Sequence, residues 1–86
     1  MYVTVRISPT ISNEYANRFV FEESVGFTIG KKCVPLGVAQ EMLADAEFNS
    51  DLKAQDVGPY GMPLHVFNAY RAFAKQLRNA IAKATA

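Results

Sequence analysis

Two single side chains and one short loop hold most of the reactive chemistry in this sequence. His65 is the sole histidine and Cys33 the sole cysteine. His65 follows GPYGMP (58–63), a loop punctuated by glycine and proline. Gly58-Pro59-Tyr60-Gly61 fits a type I turn, with proline second and glycine fourth. Pro63 suits the first position of a helix, where its missing N–H is no loss. Met62 is a poor cap and no acid follows in the first turn. The leading N–H groups are thus left for water or an anion. Tyr60, Gly61 and His65 are the candidate residues of a small-anion or ligand site, with the start of that helix. The supporting charge is badly placed: Arg71 lies eight residues beyond Pro63, about 12 Å along the axis. An ordinary loop-to-helix entry with a surface histidine is the plainer reading.

Catalysis lacks its parts. His65 has no neighbouring acid, nucleophile or second histidine. Cys33 follows Lys31 and Lys32, whose charge favours a thiolate. A small residue on a strand accounts for it equally well, and a Cys33–His65 dyad has no local signature. Glu41 and Asp45, at i and i+4 on one helix face, offer two carboxylates where a hard cation needs more oxygens. Glu22 and Glu23 are adjacent, so on a helix they do not face one another. One cysteine excludes an internal disulfide and a multi-cysteine zinc site. The expectation is a protein with no catalytic residues, no metal and no cofactor, and so not an enzyme.

The charge distribution says more. Residues 1–59 hold five basic residues and eight acids, a balance of −3, while 60–86 hold Arg71, Lys75, Arg78 and Lys83 and no acid. Such asymmetry marks a partner surface. Arg71, Lys75 and Arg78 follow i, i+4, i+7 and form one basic stripe on a helix. Two partners suit it. A protein partner would be met by arginines flanking an apolar seam, through Arg71, Lys75, Arg78, Leu77 and Ile81. That partner is expected to be a second copy of the chain, a homodimer, using Glu41, Asp45 and Glu47. Nucleic acid is the alternative, held through phosphates. The net charge of only +1 and the lack of a binding motif weigh against it.

The elements that position these residues follow from periodicity. At 86 residues the chain is expected to be one α+β domain, residues 1–86, burying about 60–65% of its unfolded surface. Residues 2–7, YVTVRI, alternate as a half-buried strand that Ser8-Pro9 ends. Residues 12–23 are ambiguous; a helix to about residue 22 with Ser12 as cap is favoured over a strand. VGFTI (25–29) alternates again. Gly30-Lys31 reads as a tight turn into KCV (32–34), a hairpin closed by Pro35. Residues 36–48 form a short helix with Leu36, Ala39, Met42, Leu43 and Ala46 inward, and Asn49 suits a left-handed end. Residues 50–62 connect, with a helical turn at 51–55.

The last helix, 63–84, carries Phe67, Tyr70, Ala74, Leu77, Ile81 and Ala84 at spacings of 3 and 4. Its length raises the question of whether so small a domain covers its far end; if not, Leu77, Ile81 and Ala84 project toward a partner. The expected architecture is a small, mainly antiparallel sheet of about three strands packed against two or three helices. No apolar run approaches the ~20 residues of a membrane span, and MYVTVRIS reads as a strand rather than a signal peptide. A cytoplasmic, small accessory protein that binds other proteins is the functional expectation.

Overall fold

A computed structural model describes residues 1–16 and 29–86. The order is β1 (Tyr2–Ile7), α1 (Pro9–Ala16), β2 (Gly30–Pro35), α2 (Leu36–Asn49) and α3 (Leu64–Thr85). The class is α+β. Among the described residues the sheet has two strands rather than three.

β1 is the strand that its alternation requires: Val3, Val5 and Ile7 are buried, and Tyr2, Thr4 and Arg6 are exposed. Ser8-Pro9 does more than stop it. The Ile11 N–H donates to Ser8 Oγ at 3.3 Å and the Ser12 N–H to Ser8 O at 2.9 Å. Ser8 thus caps a helix that opens on Pro9, four residues ahead of the expected cap at Ser12. Of the helix expected from 12 to about 22, residues 12–16 lie in α1; 17–22 fall outside the described residues. Ile11 and Tyr15 bury its inner side, and the Tyr15 ring meets Phe73 of α3 edge-on, centroids 6.0 Å apart.

The expected hairpin is not the pairing found. Gly30 and Lys31 are strand residues, and β2 pairs antiparallel with β1, from Tyr2↔Pro35 to Ile7↔Gly30. Ile29 lies outside the strand, and 25–28 fall outside the described residues. The glycine read as a turn residue opens β2 instead, at φ +116, a conformation closed to most side chains. Alternation in β1 explains the proline at the strand's end. Arg6 turns its N–H and C=O away from β2, toward Gln76. By the two-residue period Tyr2 does the same, so Pro35 opposite it needs no N–H.

α2 follows Pro35 directly and buries Val38, Ala39, Met42 and Ala46. Asn49 is its last helical residue rather than a left-handed cap. Its amide donates to Asp45 O at 2.8 Å, and no non-glycine residue described has positive φ. After a turn at 51–55, where the Asp51 carboxylate accepts the Lys53 N–H at 2.9 Å, the chain enters α3. α3 is 22 residues, about 33 Å. It buries Val66, Phe67, Tyr70, Phe73, Ala74 and Leu77 against β1, α1 and α2.

α2 and α3 run antiparallel: Glu47 meets Arg78, while Ser50 lies beside Arg71 and Lys75. β1 also opposes α3, with Arg6 at Gln76 and Tyr2 and Thr4 beside Lys83 and Ala84. The far end of α3 is therefore covered. Leu77 is 0% exposed, and Ile81 and Ala84 pack on the core as partly buried residues. The expectation that Leu77 faces a partner is overturned; the seam it belongs to is filled by the chain's own β1 and α2.

Candidate functional site: the outer face of α3

The inner arc of α3 is apolar and spent on the core. Its outer side is polar: Asn68, Arg71, Lys75 and Arg78 are all exposed. Their 3.6-residue spacing sets them along one side, facing the end of α2. Together with Ser50 they line an open cleft of about 390 Å³. No acid lies anywhere on α3.

One cation of the stripe already has a partner. Arg78 Nη1 stands 3.3 Å from Glu47 Oε2, with both side chains 52% exposed. An ion pair this wet is worth about 0–1 kcal/mol and exchanges readily. Glu47, expected on the acidic partner surface, thus meets the basic stripe first within its own chain. Arg71 and Lys75 have no acidic partner among the described residues. Ile81, the other apolar residue expected at the partner surface, is only partly available.

The loop before α3 is built differently from an open anion site. The Gly61 N–H donates to Gly58 O at 3.2 Å and the Gly58 N–H to Met62 O at 3.1 Å. The Met62 N–H donates to Asp56 O at 2.7 Å. A Cβ on Gly61 would run into the carbonyl of Asp56, so glycine is required there for close approach. The Val66 and Phe67 N–H groups both reach Pro63 O at 3.1 Å, and Pro63 is the cap residue rather than the first helical one. Tyr60 and His65 are exposed at this end, and the N–H groups of Tyr60, Leu64 and His65 make no bond within it. The N–H groups of Gly58, Gly61 and Met62 are thus spent on the loop's own carbonyls.

Cys33 is exposed on the outer face of the sheet, its Sγ 3.7 Å from Thr4 Oγ1. His65 has no side-chain partner among the described residues, so the two do not form a dyad there. No group of three metal-ligating side chains occurs among the described residues. Among them, too, no helix is long and apolar enough to cross a membrane.

Two features escaped sequence reasoning. Gln76, which counts as a solvent-side residue on the helix, clasps β1: its Oε1 accepts the Arg6 N–H at 3.0 Å and its Nε2 donates to Arg6 O at 2.9 Å. Its place between Phe73 and Ala80, three before and four after, was the available hint. The second is Arg6 directly opposite Lys31 on the bare face of the sheet, two like charges across a strand pair. Comparison with protein-family models, with curated proteins and with solved structures found no match.

Proposed function

We propose that this protein is a non-enzymatic interaction module that docks an acidic protein surface along the outer face of α3. The observation that carries the reading is the row Asn68, Arg71, Lys75 and Arg78, exposed around one cleft on an acid-free helix. The buried side of the same helix is what holds that row straight. Arg71 and Lys75 do the docking; Arg78 can trade its wet pair with Glu47 for a partner carboxylate at little cost. The separation of Cys33 and His65 and the self-bonded loop support a binding role over a catalytic one. Nucleic acid is the competing occupant. With three cations it would show a log–log salt slope of only about −3, shallow for a dedicated binder.

The test is a titration of fluorescein-labelled deca-glutamate peptide and of a labelled single-stranded oligonucleotide, read by anisotropy. The peptide should bind at about 50 mM salt and be released at about 500 mM. Arg71→Ala with Lys75→Ala should weaken it at least tenfold. Peptide binding that ignores this double substitution refutes the reading, and a clear preference for the oligonucleotide replaces it with the nucleic-acid one.

A further inference from the structure

The outer faces of α2 and α3 lie side by side and carry opposite charge. On α2 the exposed residues are Gly37, Gln40, Glu41, Ala44, Glu47 and Phe48, with Asp51 just beyond. On α3 they include Arg71, Ala72, Lys75 and Arg78. The boundary between the acidic and basic halves is the Glu47–Arg78 contact.

We propose that the acidic surface docking on α3 is the outer face of α2 on a second copy of this chain, in an isologous dimer. The inference rests on the docking reading above and names its partner. A two-fold axis along the helix direction, between α2 and α3, places each α2 over the other copy's α3 and keeps the two α3 helices diagonal. Basic faces then never meet. Such an axis also preserves levels along the helices. Within one chain Glu47 is level with Arg78, and Ser50 with Arg71 and Lys75. Glu47 and Asp51 of the second copy therefore come level with Arg78, Lys75 and Arg71 of the first, twice over. Ala44 and Ala72 at the surface let the helices approach, and Phe48, 60% exposed beside Glu47, gives the contact an apolar centre.

The area sets the strength. α2 spans about 21 Å and two helices side by side about 20 Å, a footprint of about 400 Å² per copy. That is half of the roughly 800 Å² per partner typical of stable complexes. The dimer is accordingly weak, concentration-dependent and salt-sensitive.

Molar mass by light scattering, from about 10 μM to about 1 mM protein, tests this. The wild-type mass should climb toward twice the monomer at about 50 mM salt and fall back at about 500 mM. Arg71→Glu with Lys75→Glu should be monomeric, and so should Glu47→Lys with Asp51→Lys. An equimolar mixture of the two should dimerise again, because both contacts become complementary; misfolded variants would not do this. A wild-type chain that stays monomeric throughout overturns the second copy as partner. A dimer indifferent to both double variants, or folded variants that do not recover on mixing, overturns it too. Deca-glutamate binding by Glu47→Lys with Asp51→Lys, whose α3 residues are unchanged, separates the two ideas. Where the dimer test fails, surviving peptide binding means that only the choice of partner has failed; if wild type and variant both fail to bind, the docking reading has failed with it.

Discussion

Gln76 is the residue on which the joint between sheet and helix can be tested most cleanly. Its amide satisfies both the N–H and the C=O of Arg6 on the side of β1 away from β2, at 3.0 and 2.9 Å. Gln76→Met keeps much of the volume and removes both bonds. A net hydrogen bond contributes about 0.5–1.5 kcal/mol, so two give about 1–3 kcal/mol. The site is partly exposed, water replaces part of each bond, and the lowest quarter of that range applies. The expected loss is about 1–1.5 kcal/mol. For a domain of this size it lowers Tm by about 4–12 °C. Urea unfolding should show a lower midpoint with an unchanged slope, since the surface exposed on unfolding is the same. The freed backbone of β1 would also be an unprotected edge, so the variant should aggregate sooner on heating. A loss below about 0.3 kcal/mol would show that the clasp adds nothing to the joint and would refute the reasoning.

Leu77→Ala should cost about 2–5 kcal/mol in chemical unfolding, a large share of the roughly 4–13 kcal/mol such a chain has, while Ile81→Ala, partly exposed, should cost clearly less. Equal losses would mean the far end of α3 is packed otherwise than described. Gly61→Ala should destabilise by about 1–3 kcal/mol in the same assay, since the new Cβ meets the Asp56 carbonyl and backbone must move. Arg78→Ala should change stability by less than about 1 kcal/mol, because its pair with Glu47 is half in water. Cys33 should react with a thiol reagent in the folded protein at close to the rate of the unfolded chain, as its exposure implies.

Much of the fold was legible because periodicity reports burial. The alternation of Val3, Val5 and Ile7 and the 3–4 spacing of Phe67, Tyr70, Ala74 and Leu77 each marked one inward side, and those sides are buried. Periodicity does not say what covers a buried side. Leu77 and Ile81 fit a seam between subunits as well as a seam within one, and only the antiparallel course of β1 and α2 along α3 decides for the latter. Strand pairing is likewise non-local. KCV was recognisable as a strand, but nothing in residues 25–35 names β1, some 30 residues earlier, as its partner. Ser8-Pro9 shows a different limit: the dipeptide ends a strand and caps a helix equally well, and Asn49 found its partner through its side chain rather than its backbone. The basic stripe was legible from spacing alone. The Glu47–Arg78 pair was not, because it depends on how α2 and α3 are set against each other.

The proposed docking surface is the outer face of α3 rather than the bare sheet face with Arg6 and Lys31. Amide chemical-shift mapping with unlabelled deca-glutamate peptide tests it most directly. Docking on α3 should give shifts at Ser50, Asn68, Arg71, Lys75 and Arg78 that saturate together. Shifts centred on Arg6, Lys31 and Lys32, with α3 unmoved, would contradict it.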